Sequence, residues 1–357
     1  MVQTIFVSHW QGCKRHYPKA TEPGWVPYST STRRPEMMRR LLISVVTPCY
    51  NEEGNVDELH RRIAAQMAAF PQYDYEHIYV DNASTDDTVV AIRRLASADS
   101  RVKAIVNNRN FGIIRSSNHG LLQARGDAII NMASDMQEPP ELIGDFIRKW
   151  EQGWKVVVGV KPESHETAPM FALRRLYYAT VGRIADVTLI AHYTGFGLYD
   201  REVIESFRRI DDPYPYFRGL IADMGYSHAE VPYTQPMRKR GITKNNFYSL
   251  YDMAMLGITS HSKVPLRLAT MAGFALSAVS LLIALAYLVL KIVQWDQMSF
   301  GLAPILIGFF FFASVQLFFI GLLGEYILQI HTQVQKRPLV IERERINLGP
   351  PTDGDSP

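Results

Sequence analysis

The sequence predicts an α/β fold, a mostly parallel sheet with flanking helices on both faces, followed by a C-terminal two-helix transmembrane hairpin. Three observations predict it. Short apolar runs alternate with amphipathic stretches through residues 41–160, polar and acid-rich segments follow several of those runs, and nearly all the long apolar runs fall after Leu266. Regular strand–helix alternation gives parallel strands joined by crossover helices, because each helix buries its apolar stripe against the sheet.

In order, Leu42–Thr47 reads as a buried strand and Asn55–Phe70 as a helix. Glu76–Val80 and Val102–Val106 are further strands, with a helix over Asp86–Ala98 between them and another over Ile113–Arg125 after them. Ala128–Met132 is a fourth strand, Pro140–Gln152 a helix and Val156–Val160 a fifth strand. Phe171–Ile190 has helical spacing with Arg174 and Arg175 in its first turns, while Thr194–Tyr199, broken by glycine and aromatic, reads as strand and turn. Phe247–Ile258 alternates aromatic and aliphatic residues with polar ones just before the first long apolar run, as in a helix lying on a membrane surface.

Leu268–Leu290 and Ser299–Gly324 hold no charged residue. A bilayer core of roughly 30 Å needs about 20 apolar residues at 1.5 Å rise, so each segment can span it. The loop Gln294–Met298 lacks Lys and Arg, whereas Lys263 and Arg267 flank one outer end and Lys336 and Arg337 the other. The positive-inside bias then puts both flanks, both termini and the preceding globular region in the cytoplasm, at the inner or plasma membrane. Gln316 suits a bond to the partner helix, and no intramembrane ion pair points to a pore.

Residues 1–40 are rich in Pro, Ser, Thr and Arg and lack the apolar core of a secretory signal; they read either as a disordered leader or as the product of a start upstream of Met37 or Met38. The domain organisation is then a catalytic region over 41–245, an interfacial helix over 246–265, the hairpin over 266–330 and a cytoplasmic tail over 331–357, expected to be disordered after Val340. A formal charge of +3 over 357 residues is too small to argue for nucleic acid from net charge alone, and no nucleic-acid partner is expected. Two cysteines, Cys13 and Cys49, cannot build a disulfide framework.

The chemistry sits where strands end, the edge at which open α/β sheets bind ligands. The first strand runs into Thr47-Pro48-Cys49-Tyr50-Asn51-Glu52-Glu53, an acidic loop able to grip a base or ribose. The second ends at Asp81, placed to accept from a uracil N–H or a ribose hydroxyl, while Thr85 or Asp86 suits the cap of the next helix. The fourth ends in Ala133-Ser134-Asp135-Met136-Gln137-Glu138-Pro139-Pro140. A carboxylate there can hold Mg²⁺ or Mn²⁺ against a diphosphate, since hard cations take oxygen ligands and need only one or two carboxylates beside phosphate. Glu138 reads as complementing a helix N-terminus.

Together these stretches resemble the inverting GT-A glycosyltransferases of family 2 that act on polyprenyl phosphates, among them dolichol-phosphate mannose synthase and the bacterial undecaprenyl-phosphate glucosyl- and aminoarabinosyltransferases. The matching segments are Pro48-x-Tyr50-Asn51-Glu52-Glu53, Asp81-x-x-Ser84-x-Asp86, Arg109-Asn110-Phe111-Gly112, Asp135-x-Gln137-x-Pro139-Pro140, Arg218-Gly219-Leu220, Gly241-x-x-Lys244 and Gly257–Ser262 with Pro265-Leu266-Arg267. The likeness covers residues 41–340. It implies a GT-A fold, a nucleotide-sugar donor (UDP-linked by analogy), a polyprenyl phosphate acceptor and a dimer or tetramer through the hairpin. It assigns Pro48, Tyr50, Glu52 and Asp81 to the nucleotide, and Asp135 and Gln137 to metal and diphosphate. Arg174, Arg175, Arg240 and Lys244 are the candidate clamps for donor or acceptor phosphate, because two anionic groups brought together need fixed cations. For Arg238-Lys239-Arg240 attraction to anionic lipid is the plainer reading.

Two departures stand out. Ala133 occupies the position of the first aspartate of the family's Asp-x-Asp, and Thr194–Tyr199 lacks the carboxylate that many relatives place after the glycine. An acceptor phosphate is already anionic at neutral pH and needs no strong base, so these losses leave in-line displacement possible. A catalytically silent membrane scaffold and a polysaccharide synthase of the same fold are the rival readings; the latter's Gln-x-x-Arg-Trp motif is missing.

Overall fold

β1 (Leu42–Cys49) is buried along its whole length after Leu42, the mark of a central strand covered on both faces. The computed structural model describes residues 40–161, 190, 192–236, 264–293 and 302–350. Around β1 it builds a sheet with β2 (Asp74–Asp81), β3 (Val102–Asn107), β4 (Ala128–Asn131), β5 (Val156–Val160), β6 (Tyr193–Asp200), β7 (His228–Pro232) and β8 (Glu342–Ile346). The spatial order is β7-β5-β6-β4-β1-β2-β3-β8. Strands β4, β1, β2 and β3 run parallel, whereas β6 runs against both β4 and β5, and β8 against β3. The sheet is therefore a parallel centre with antiparallel margins.

Helices cover both faces. On one lie α1 (Glu53–Met67), α2 (Thr88–Ala98) and α4 (Ile143–Glu151), which follows a 3₁₀ turn at Pro140–Leu142. Val56, Leu59 and Ile63 of α1, Ile92 of α2 and Phe146 of α4 share a core there with Ile43, Val45, Tyr79 and Ile130 of the strands. On the other lie α3 (Ile113–Gln123), α5 (Arg201–Ile210) and α6 (Phe217–Asp223), packed on Val46, Ile78, Val80, Ile105 and Ile129. Gly120 lets α3 sit hard against the sheet: a Cβ there would meet Val80 Cγ2 at 2.4 Å and Val46 Cγ1 at 2.9 Å.

After the sheet domain come α7 (Val264–Val293) and α8 (Leu302–Gln335). Their apolar windows, Val264–Ile283 and Gly308–Gln335, have mean hydropathy 1.8 and none of either is buried, so both helices are long and apolar enough to cross a membrane. Leu281, Phe309, Leu317 and Phe318 are among the large apolar side chains left on their surfaces.

The chain beyond Val340 is a correction. Expected as a disordered tail, it forms β8 and closes the β3 edge of the sheet. Glu-Arg-Glu-Arg reads as a solvated run by composition, but its partners lie more than 200 residues away. Glu344 pairs with Arg93, Glu342 with His119, Arg345 with Gln123 at 2.8 Å, and Asn347 donates to the carbonyls of Ala96 and Val102. The expected helix over Phe171–Ile190 (apart from Ile190), the interfacial helix over Phe247–Ile258, the leader and the Gln294–Met298 loop lie outside the described residues.

Candidate active site

The three acid-bearing loops meet at one edge. β4, β1 and β2 are adjacent and parallel, so the segments after Asn131, Cys49 and Asp81 all leave the same end of the sheet. At about 4.8 Å per strand, the β2 and β4 loops stand ~10 Å apart with the β1 loop between them.

Asn51 stitches the β1 loop to the β2 loop. Its φ of +56° is a left-handed conformation that asparagine tolerates better than most residues. That turn lets its N–H donate to Ser84 Oγ at 2.9 Å and its Oδ1 accept from Thr85 N at 2.8 Å. Glu52 N donates to Thr88 Oγ1 at 2.8 Å, and Glu52 Oε2 accepts from Asn55 Nδ2 at 2.6 Å. Pro48 is buried and Tyr50 half-buried. Asp86 Oδ1 accepts from Thr88 N at 3.1 Å, so that half of the motif serves the start of α2, while Thr85 is taken up by Asn51.

Asp81 is fully buried and accepts from Ser84 N at 3.1 Å and from the Ser84 hydroxyl. Burial pushes its carboxyl up, against the opposing pull of the Ser84 and Ala83 donors and of Arg343. Arg343 belongs to β8, so the C-terminal segment brings a positive charge to this pocket that no local pattern announces. Asn82 is the other residue the sequence reading passed over. It lies inside a quoted motif and ties the loop after β3: its Oδ1 accepts from Phe111 N at 2.9 Å and its Nδ2 donates to Asn110 Oδ1 at 2.8 Å. Gly112, at φ +86°, turns that loop into α3, and Arg109 stacks over the Phe111 ring at 4.0 Å.

After β4, Met136 at φ +62° buries its side chain between Asp135 and Gln137, which are both half-buried. Gln137 N donates to Asp135 Oδ1 at 3.1 Å, fixing the carboxylate. A carboxylate and an amide carbonyl two residues apart suit a hard divalent cation whose other positions fall to diphosphate and water. Among the described residues no group of three His, Cys, Asp or Glu could hold a metal by itself.

Glu138 does not complement the helix start. Its Oε2 accepts from Ala133 N at 2.7 Å and its Oε1 from Thr194 Oγ1 at 3.2 Å. The residue is half-buried with this carboxyl end turned inward, and burial pushes it up to about 7; Asp135 adds to the rise, while Ala133 N–H, Thr194 and Lys161 oppose it. On β6, Phe196 follows Gly195 and is buried edge-on against Phe146 and Tyr233, so that position faces the core. The expected phosphate clamps Arg174, Arg175, Arg240 and Lys244 lie outside the described residues.

Residues 44–208 match the family model described as glycosyl transferase family 2. The uncharacterised glycosyltransferase YkcC of Bacillus subtilis (strain 168) is 32% identical over 306 residues, covering 85% of this chain and 94% of that protein. The SfII prophage-derived bactoprenol glucosyl transferase of Shigella flexneri is 30% identical over 300 residues, covering 84% of this chain and 96% of its own. Among solved structures, glucosyl-3-phosphoglycerate synthase from Mycobacterium tuberculosis, in complex with Mn²⁺, UDP-glucose and phosphoglyceric acid, aligns over 61% of this chain and 78% of its own at 20% identity and a TM-score of 0.40. With a family 2 domain and relatives matched over nearly their whole length, the chain belongs to glycosyltransferase family 2.

Proposed function

We propose that this glycosyltransferase moves a sugar from a nucleotide donor, UDP-linked, onto a polyprenyl phosphate of undecaprenyl type at the cytoplasmic face of a membrane. The observation that carries the reading is the meeting of the β1, β2 and β4 loops at one sheet edge, in a chain that also bears two exposed apolar helices. The relatives named bactoprenol glucosyl transferases, at about this length and with 30% identity, support the choice of acceptor.

In this reading the loops after β1 and β2 hold the nucleoside. Asp81, buried and hydrogen-bonded by neutral donors of its own loop, offers a preformed acceptor for a base N–H or a ribose hydroxyl, and Pro48, Tyr50 and Glu52 stand at the end of the neighbouring strand β1. Asp135 and Gln137 would hold Mg²⁺ or Mn²⁺, which neutralises the leaving diphosphate when bound. The protein's own share is positioning: Asn51 and Asn82 lock three loops together, so that donor and acceptor meet without reorganisation of the cleft. The acceptor phosphate attacks the anomeric carbon in line, and an alpha-linked donor yields a beta-linked lipid phosphate sugar. Arg174, Arg175, Arg240 and Lys244 are proposed as the cations that bring the two anions together. α7 and α8 span the bilayer with both termini cytoplasmic and assemble the chain as a dimer or tetramer.

The test is a panel of radiolabelled nucleotide sugars offered to membranes with short polyprenyl phosphates, scored for label entering the organic phase. One donor should label the lipid, with inverted configuration, and Asp135→Ala should abolish it. Retained configuration, or full labelling by Asp135→Ala membranes, would sink the reading. No turnover with any donor would favour a membrane scaffold, the role to which the loss of the aspartate at Ala133 points.

A further inference from the structure

The C-terminal strand runs beside the donor edge of the sheet, and one of its residues is placed differently from its neighbours. Val106 of β3 stands opposite Asp81 of β2 on one side and opposite Glu344 of β8 on the other. At about 4.8 Å per strand, β8 therefore lies ~10 Å from the strand that ends in Asp81. The β3–β8 register slips at this level. Glu342 stands opposite Asn107 and Glu344 opposite Val106, which leaves Arg343 as the extra residue of a bulge. A bulge releases its extra residue from the ladder and re-aims the side chain, and here it does so level with the carboxyl end of β2. We propose that Arg343 is a donor-binding residue, its guanidinium donating to a carbonyl oxygen of the nucleotide base beside the N–H that Asp81 accepts; the proposal rests on the nucleotide-sugar reading of the cleft.

Two plainer roles fit Arg343 less well. The strand is latched by other residues: Glu344 to Arg93, Glu342 to His119, Arg345 to Gln123, and Asn347 to the carbonyls of Ala96 and Val102. Arg343 takes part in none of these latches, is exposed, and acts through its charge on Asp81. A charge that only guards a sheet edge would serve anywhere along β8, whereas this one sits where the edge is bonded to the donor loops. Asn108 N donates to Ile341 O at 2.9 Å, and the same loop holds Asn82, the residue after Asp81, through Phe111 N and Asn110 Oδ1.

Strand order decides which part of the donor Arg343 meets. Four strand spacings, ~19 Å, separate β8 from β4, whose loop carries Asp135 and Gln137. Arg343 is therefore remote from the proposed cation–diphosphate side and close to the nucleoside side. The chemistry of a uracil edge gives a cation work to do there. The imide N–H of uracil is flanked by two carbonyl oxygens, so a carboxylate accepting from it is brought against their lone pairs. A guanidinium offers several donors in a fixed planar fork, and one beside the carboxylate turns that repulsion into a hydrogen bond. Cytosine, whose ring nitrogen at that position is an acceptor, does not fit the carboxylate, so the pair selects uracil.

Full-length protein in detergent is titrated with UDP and with UMP by calorimetry, and its melting temperature is recorded in parallel. Arg343→Gln should weaken both nucleotides by the same factor, about tenfold, at an unchanged melting temperature. Arg345→Gln, which cuts a latch of the same strand, serves as the comparison for a loosened β8. Unchanged affinity in Arg343→Gln overturns the proposal. So does a loss confined to UDP, which would put the guanidinium on phosphate charge. A loss that comes with a falling melting temperature, as in Arg345→Gln, overturns it too and would make Arg343 one more latch. A wild-type protein that binds neither nucleotide overturns the donor reading as well, and the wild-type titration alone tells that failure from the others.

Discussion

Strand β2 carries a buried carboxylate near each end, and the two are built differently. Glu76, near the start, is 2% exposed; it accepts from Ser44 Oγ and from Arg125 N, and Lys103 Nζ pairs with it at 2.5 Å. Asp81, at the finish, is 0% exposed, and its hydrogen bonds come from neutral donors in its own loop. A carboxylate taken from water with a cation and several donors is finished, and its role is to hold β1, β2, β3 and the turn before β4 together. One buried with neutral hydrogen-bond donors, and with Arg343 acting on it through charge without an ion pair, is only partly compensated, and burial lifts its pKa. The lesson is that the amino end of the sheet closes its carboxylate with a cation, while the carboxyl end, the proposed donor site, holds its own with neutral hydrogen-bond donors. Glu138 extends the contrast along the same edge.

The largest effect should come from the closed end. Glu76→Ala leaves Lys103 and Ser44 without their partner and should cost about 3–5 kcal/mol of unfolding free energy, measured by urea melts, with donor KM unchanged in whatever folds. At the open end Asp135→Ala should behave in the opposite way, keeping the melting curve while lowering turnover more than about 100-fold, or ~2.7 kcal/mol. Asp81→Asn keeps an acceptor oxygen for one of the two Ser84 donors but removes the charge, and should raise donor KM about tenfold, ~1.4 kcal/mol, with a smaller change in kcat. A KM unchanged by Asp81→Asn would erase the contrast between the two ends. Asn51→Ala breaks the stitch to Thr85 and places alanine at φ +56°, so it should cost about 1 kcal/mol of stability and a few-fold in donor KM.

The pH dependence sharpens the comparison further, because two groups oppose each other below neutrality. His77, fully buried, bonded through Nε2 to Thr47 Oγ1 at 3.0 Å and stacked on His60, has its pKa lowered well below the ordinary value, first by burial and then by His60. The unfolded chain therefore binds more protons at this site as pH falls through about 6.5, and acid removes stability. Glu138 has its carboxyl lifted to about 7, so between about 4.5 and 7 the native state binds more protons and acid adds stability. Relative to wild type, His77→Gln should gain stability between pH 7 and 5, and Glu138→Gln should lose it. Parallel curves for the three proteins would show that neither group differs between folded and unfolded states.

Much of this was legible in the sequence because it is local. β1 and the helices after it follow from apolar periodicity, and the predicted strand ends fall within a residue or two of those observed. The loops with Glu52, Asp81 and Asp135 are recognisable because polar side chains must follow a buried strand wherever it emerges. The two apolar helices follow from length and composition. Glu138 was misread because its position before two prolines suggests a helix start, and nothing local reveals a bond to Thr194, 56 residues on.

The sequence by itself determined the alternation of strands and helices, the acidic loops and the apolar pair at the end, each encoded in a few neighbouring residues. Tertiary structure alone decided that β4, β1 and β2 lie side by side so that three loops share one edge, that β6 and β8 run antiparallel, and that a charged C-terminal run becomes an edge strand carrying Arg343 toward Asp81. The reason is physical. Strand pairing and buried charge are settled by partners distant in the chain, and the free energy of meeting them is absent from any local window of residues.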